Sequence, residues 1–484
     1  MRGELLGEKG MTVSAAVTIS VILTAIIVGG AVYVLKPAEE EEVVGGVTQT
    51  QVENFLTHAS TSTVKDILSD VVDPDIIAEL VPPPGPGDVE LTLGFVLGGY
   101  VSGSTWDGRF IVGAERLKTL YPWFDYVYDE GVVLGGKDPA ASARDLIETE
   151  GADLVDSSWE PGGIPAFHTV SSDYPDLYFF DTVASDTSSE KNFSRYFIRQ
   201  YQAMYLEGLV AGALTKTNKI GAAVGPACVQ NYRRMAAFYL GIKEANPDAT
   251  LYIKYVGEWY KPAVERDVSL ALVDLGVDVL TNYTDSTAPV EVCVERGVWY
   301  IGKDTDVASI GDKDLKMDII GTDPWATTDT VAVTFDTRWE VLWNYYLKEY
   351  LAGIENPARL VFLGMDDYIS LPAGHSFLPE ETMLLAVDLQ NGGEIGVDAI
   401  SPKADISSEV KELIEDRRAQ MIAGVWDPFF EYELVSSGEG VEISELGLTV
   451  PSEGTVVKPA RTAASDEFLL AELNFRLEGI VKVE

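Results

Sequence analysis

Two short segments, GADLVDSS beginning at Gly151 and GVDVLTNY beginning at Gly276, constrain this chain more than any other feature. Each follows an amphipathic helical pattern, and each has the form Gly-(Ala/Val)-Asp-(Leu/Val)-(Val/Leu) before turning polar. A short apolar run between a glycine and a polar cluster reads as a strand buried on both faces. Around the first, VELTLGFVLGGY predicts a buried strand, DGRFIVGAERLKTLYP a helix and WFDYVYDEGV a second strand. DPAASARDLIETEG then predicts a helix with Asp138 at its cap and Pro139 as its first residue. After residue 200 the series restarts: QYQAMYLEGLVAGALTKTN, QNYRRMAAFYLGIKEANP and PAVERDVSLALVDLG as helices, KIGAAVG, TLYIKYVG and VDVLTNY as strands. Alternation of this kind, met twice, predicts an α/β chain of two similar lobes, each a parallel sheet covered by helices.

Parallel sheets bind ligands beyond the carboxyl ends of their strands, so the site is expected where those ends from two lobes face each other. The predicted ends are GGYVSGSTW (98–106), DSSWEPGG (156–163), GPACVQN (225–231), GEWYKP (257–262), TNYTDSTAP (281–289) and GKDTD (302–306). Tyr100, Trp106, Trp159, Trp259, Tyr260 and Tyr283 cluster there. They suit a flat, π-rich ligand, with stacking of about 1–3 kcal/mol per base-like ring. Ser157, Ser158 and Thr284 supply hydroxyls, and Asp285 and Asp304 supply carboxylates able to accept charge-assisted hydrogen bonds from a solute. Asp285 could instead cap the helix APVEVCVERG, a role Ser286 and Thr287 fill equally well. Asp306 and His168 read as structural.

Composition removes several function classes. The formal net charge of −42, from 77 acidic and 35 basic residues, argues against nucleic acid and against an anionic lipid surface. Two cysteines, Cys228 and Cys293, allow one disulfide and exclude a disulfide scaffold or a Cys-rich metal site. Three scattered histidines form no zinc motif, DTD lacks the oxygen spacing of a calcium or magnesium loop, and GGYVSG lacks the pattern of a phosphate loop. No Ser/His/Asp set with a supporting motif is present, so neither an enzyme, a metal nor a cofactor is expected. Asn192-Phe-Ser and Asn282-Tyr-Thr are glycosylation sequons.

The segment from Met11 to Leu35 runs 25 residues without a charge, enough to span a bilayer as a helix. Basic residues before it and the acidic run after it predict a cytoplasmic residue 1–10 stub and an extracytoplasmic body at the cell membrane. Lys9-Gly10 directly before the apolar run resembles an archaeal class III (prepilin-type) signal. The 11–35 segment is thus either an uncleaved anchor or such a signal. In the second case, many copies could assemble into a surface structure carrying the α/β body as passenger. Residues 36–88 read as an acidic stalk ending in the Pro/Gly cluster VPPPGPGD, which places a domain boundary before residue 89.

From about Thr92 onward the chain resembles the basic membrane protein (BMP) family of ABC-transporter substrate-binding proteins, related to purine-nucleoside receptors. The resemblance is carried by FIRQYQAMYLEGLVAGALTKTNKIGAAVG, GIKEANPDATLYIKYVGEWYKPAVE, LVDLGVDVLTNYTDSTAPVEVCVERGVWYIGKDTD and VKELIEDRRAQMIAGVWDPF. It implies a two-lobed type I periplasmic-binding fold over 89–484. Lobe 1 would take about 89–198, lobe 2 about 199–325, and both would share 326–484. It also implies a purine nucleobase or nucleoside ligand and permease and ATPase partners. Trp106 and Trp259 match the aromatics that enclose the base, Asp304 matches the acidic residue that holds ribose hydroxyls, and Thr284 and Asp285 match a polar strand end. Asp107 stands where the family often has an amide, and Trp325 in IIGTDPWATTD would add an aromatic wall. Asp285 replaces a glycine of the nucleoside-binding branch, which points to a free base.

Overall fold

A computed structural model of the chain describes residues 91–121, 123–182, 192–304, 330–351, 360–365, 383–385, 396–444, 447–462, 464 and 468–484. The Met11–Leu35 run, the 36–88 stalk, Asp306 and Trp325 lie outside these residues. Among the described residues no helix is long and apolar enough to cross a membrane.

The first sheet begins with β1 (Leu91–Val96), β2 (Phe124–Asp129), β3 (Leu154–Ser157), β4 (Tyr178–Thr182) and β5 (Phe193–Ile198). The second begins with β6 (Lys219–Val224), β7 (Thr250–Tyr255), β8 (Val279–Tyr283), β9 (Trp299–Ile301) and β10 (Val331–Val333). Every pairing in both is parallel. The five strands of the first run in the order 5-4-3-1-2, and those of the second in the corresponding order 10-9-8-6-7. GADLVDSS and GVDVLTNY therefore occupy the same place, beside the first strand of their own sheet. Two later strands each extend one sheet by an edge: β12 (Leu360–Leu363) on β5, and β17 (Val481–Lys482) on β7. A short antiparallel pair, β11 (Phe335–Thr337) with β13 (Met383–Leu385), and a three-stranded sheet of β14 (Leu434–Gly440), β15 (Val456–Lys458) and β16 (Phe475–Leu477) complete the β structure.

The crossover helices are α1 (Thr105–Leu120), α2 (Pro139–Glu148) and α3 (Glu160–Val170) on the first sheet, and α4 (Gln200–Leu214), α5 (Val229–Ala245), α6 (Pro262–Asp274) and α7 (Ala288–Arg296) with the second. Asp138 caps α2 by accepting from the Ala140 N–H, with Pro139 in the first turn, as the sequence predicts. Helix α3 and strands β4 and β5 were not foreseen. Pro161 sits in the first turn of α3, where a missing N–H costs nothing. Gly163 is needed for packing: a Cβ there would lie 2.1 Å from Asp181 Oδ1.

Apolar residues from β1, β3, β4 and the helices on one side form the first lobe's core, with Val96, Val155, Phe167 and Phe179 fully buried. In the second lobe α4 and α5 cross at a glycine contact. A Cβ on Gly208 would lie 2.2 Å from the Phe238 carbonyl, and one on Gly241 would lie 2.1 Å from that of Tyr205. The backbones therefore approach as closely as two helices can.

The chain passes between the lobes after β5, again between β10 and α8 (Trp339–Leu351), which packs on α1, and again after β12. A buried ion network fixes the second passage. Arg109 of α1 pairs with Asp336 of β11 and with Glu340 of α8 at 2.8 Å, and Arg116 reaches the same two carboxylates at 3.0 and 2.8 Å. Burial alone would raise the Glu340 carboxyl; Arg109, Arg116 and Arg338 hold it well below the usual range.

Candidate functional site: the closed strand ends

The carboxyl ends of the two sheets meet. Ser104, which caps α1, forms an antiparallel bridge with Ser286, and the Thr105 N–H donates to the Asp285 carbonyl at 2.9 Å. Close by, Tyr260 of the second lobe brings its hydroxyl to Gly103 of the first, 3.1 Å from where a Cβ would stand. The lobes are thus joined directly at GSTW and TDST.

On the first-lobe side Asp107 is the centre. Its Oδ1 accepts from the Ser158 hydroxyl at 2.7 Å and the Gly99 N–H at 3.2 Å, and its Oδ2 from the Ser104 hydroxyl at 3.1 Å. Burial raises its pKa, and these hydrogen bonds oppose the rise. Ser158 also accepts from the Gly98 N–H, and its carbonyl accepts from the Trp106 indole N–H at 2.8 Å. Trp106 is buried and packs with Phe110, Phe197 and Trp339. Trp159 lies flat on Gly98, where a Cβ would fall 2.2 Å from the ring. The Ser157 hydroxyl donates to the Trp159 carbonyl at 2.9 Å, holding the turn into α3. Tyr100 is 43% exposed and lies over Gly131.

On the second-lobe side Asp285 is held by its backbone. Its N–H donates to the Trp259 carbonyl at 2.8 Å, while Trp259 is half-buried against Gly225. The Asp285 side chain does not cap α7. That helix starts after Thr287, and the Ala288 N–H donates to the Ser286 hydroxyl. Instead Asp285 Oδ1 lies 3.1 Å from Lys303 Nζ, which also contacts Asp304. Burial pushes the Asp285 carboxyl up to about 7; Lys303 opposes this, and Asp304 and Asp107 add to it. Burial works against the Lys303 charge, yet Asp304 and Asp285 hold its pKa above the ordinary value. Asp304 has left-handed backbone, φ 64°, and accepts from Gln200 Nε2 at 2.7 Å. Gln200 Oε1 in turn accepts from the Tyr283 hydroxyl at 2.7 Å and from Arg234. Thr284 is buried, its hydroxyl and carbonyl both accepting from Asn282.

The structure thus gathers Trp106, Asp107, Ser158 and Trp159 at one strand end, and Trp259, Tyr260, Asp285 and Asp304 at the facing one. Sequence reasoning missed Lys303, Gln200 and Arg234. A lysine directly after the apolar strand WYIG and directly before Asp304 was the available signal for the first.

Both sequons are occupied by the fold. The Asn192 amide donates to the Ser171, Tyr174 and Leu177 carbonyls, and Asn282 Oδ1 accepts from the Tyr300 hydroxyl at 2.6 Å. Cys228 and Cys293 are both free thiols. Among the described residues, no three His, Cys, Asp or Glu side chains gather as a metal-holding group.

Two parallel sheets in matching order, joined by repeated passages and closing at their carboxyl ends, define a two-lobed periplasmic-binding-protein fold. A solved ABC-transporter solute-binding protein from Aeropyrum pernix K1 shares it, with a TM-score of 0.51 at 16% identity over 69% of this chain and 92% of that one. A transcriptional activator of the comK gene from Bacillus halodurans does too, with a TM-score of 0.50 at 19% identity over 68% and 97% of the two chains. Residues 92–321 match the Bmp family model, described as ABC transporter substrate-binding protein PnrA-like. A purine-binding protein of Brucella abortus is 30% identical over 176 residues, 35% of this chain and 48% of that protein. The ABC transporter protein TsgA13 of Haloferax volcanii, to which glucose binding is ascribed, is 28% identical over 274 residues, 53% of this chain and 66% of that one. The chain therefore spans from about half to about two thirds of these relatives' lengths.

Proposed function

We propose that this chain is a solute receptor that captures a purine nucleobase or nucleoside between its lobes and delivers it to an ABC permease and its ATPase. The observation that carries this reading is the buried Asp285–Lys303–Asp304 group, set opposite Asp107 where the two lobes touch. Charged side chains are rarely taken out of water without a structural or ligand partner. Here they stand at the strand ends, where α/β folds place ligands. Trp106, Trp159, Trp259 and Tyr260 supply aromatic surface beside them, and Ser157, Ser158 and Thr284 supply hydroxyls. Tyr100 and Trp325 complete the residues we assign to ligand contact. The Bmp match and the purine-binding relative support the ligand class. Capture and release need no covalent chemistry, only lobe opening and closing. In this reading the 11–35 segment tethers the body on the outer face of the cell membrane.

The test is thermal unfolding of the full chain in detergent with adenine, guanine, hypoxanthine, their nucleosides and glucose. A ligand at a hundred times its Kd stabilises the folded state by about 2.7 kcal/mol, which reads as a clear rise in Tm. A rise with a purine supports the assignment. A rise with glucose alone removes the purine and keeps the receptor.

A further inference from the structure

We propose that Arg233 and Arg234 form an oxyanion subsite within the interlobe cleft, so that the captured solute carries a phosphate or carboxylate group. The proposal rests on the receptor reading above and narrows its ligand from the neutral base or nucleoside to an anionic relative such as a nucleotide.

Both arginines are 2% exposed. They are neighbours on α5, in the second lobe, yet both guanidinium groups converge on one ring of the first lobe. Arg233 Cζ lies 5.7 Å and Arg234 Cζ 5.5 Å from the centroid of Phe197 in β5. Arg233 also lies 5.1 Å from the ring of Phe362 in β12, and Arg234 lies 3.6 Å from the ring of Tyr283, the last residue of β8. The two cations are therefore enclosed by strands from both sheets, and Phe197 connects them to Trp106.

Among the described residues they have no counter-charge paired to them. Arg233 donates to the Leu469 carbonyl and Arg234 to Gln200 Oε1, both neutral acceptors. Arg234 Nε is buried and has no hydrogen-bond partner among the described residues. Among the described residues no carboxylate pairs with either arginine. The acids of the cleft are already engaged: Asp304 by Gln200 and Lys303, Asp285 by Lys303, and Asp107 by Ser158, Gly99 and Ser104. Arg109, also buried, shows the contrast, with two carboxylates, Asp336 and Glu340, directly paired to it. Burial and the adjacent Arg234 charge push Arg233 down to about 9, which an added anion would reverse.

Two like charges out of water, side by side, with a donor left open, are unfavourable unless an anion joins them. A guanidinium presents its donors in a planar fork that matches the paired oxygens of a phosphate or carboxylate. The acidic exterior does not forbid such a ligand, because exposed charges are screened within about 8 Å at physiological ionic strength.

The experiment measures dissociation constants of the full chain for matched pairs that differ in charge: adenosine and adenosine 5′-monophosphate, glucose and glucose 6-phosphate, benzamide and benzoate. Inorganic phosphate serves as a competitor. In at least one pair the anionic member should bind about tenfold tighter or better, the scale of one charge-assisted hydrogen bond. Arg234→Gln should collapse that ratio toward one. Arg234→Lys, which keeps the charge and loses the fork, should lower it part way and serves if the glutamine variant does not fold. Equal or tighter binding of every neutral member overturns the proposal. So does the absence of binding in every pair, or a ratio that survives both Arg233→Gln and Arg234→Gln. Glucose 6-phosphate binding without any purine would remove the purine and keep the subsite. Adenosine binding as tightly as its monophosphate would do the opposite.

Discussion

Lys303 Nζ stands 3.1 Å from Asp285 Oδ1, with both side chains buried and Asp304 on the lysine's other side. One cation thus serves two carboxylates at the neighbouring carboxyl ends of the parallel strands β8 and β9. Lys303→Met should leave both acids buried without their counter-charge and cost about 3–5 kcal/mol of stability. Urea unfolding measures the loss, and the double variant with Asp285→Asn should recover part of it.

Asp156 gives a pH prediction. Its Oδ2 accepts from the Tyr196 hydroxyl and from the Trp343 indole N–H at 2.8 Å, and burial pushes its carboxyl up to about 7 against those hydrogen bonds. Its folded pKa lies above the unfolded one, near 3.9. The folded state therefore holds the proton more tightly, and its stabilising contribution is complete at low pH and lost as pH rises toward 7. Stability should fall between about pH 4 and 7, by at most about 1.4 kcal/mol per pH unit for such a group. Asp285, raised to about 7 as well, adds to the same slope. Melting temperatures measured across this range should decline for the native chain and decline less for Asp156→Asn. An unchanged slope in that variant would remove Asp156 from the account.

Helices α4 and α5 meet through Gly208 and Gly241, each facing a backbone carbonyl of the other helix. Gly208→Ala should force the pair apart and cost about 1–3 kcal/mol, the usual range for overpacking. The same exchange at Gly136, where a Cβ would meet nothing within 4 Å, carries only the strain of its φ of 69°. Comparing the two by chemical denaturation separates crowding from backbone strain.

Trp159 rests on Gly98 so closely that Gly98→Ala must displace the ring. Ligand affinity should fall about tenfold or more if the indole lines the cleft, given about 1–3 kcal/mol for a stacked ring. An unchanged dissociation constant would take Trp159 out of the site.

Much of this architecture was legible because the signals are local. Asp138 followed by Pro139 announces a helix start through one side-chain hydrogen bond and one fixed φ, and GVDVLTNY announces a buried strand by its composition. Helix α3 was hidden because Gly163 looks like a breaker, when its role is to admit Asp181 from β4. The positions of Asp285 and Asp304 at strand ends followed from the alternation, but their shared cation did not. Lys303 reads as one more polar residue in GKDTD until the turn folds it inward between two acids distant in purpose. Gln200, Arg233 and Arg234 were invisible for the same reason: each sits in a helix pattern that explains it locally, and only the meeting of two lobes gives it a second set of neighbours.

The Ser104–Ser286 bridge and the Thr105–Asp285 hydrogen bond are made by main-chain atoms. A latch of that kind does not depend on which side chains stand beside it. Substitutions of the side chains around it can therefore accumulate while the main-chain contact between the lobes is retained, so the shape of the junction and the chemistry of its surroundings are free to change separately.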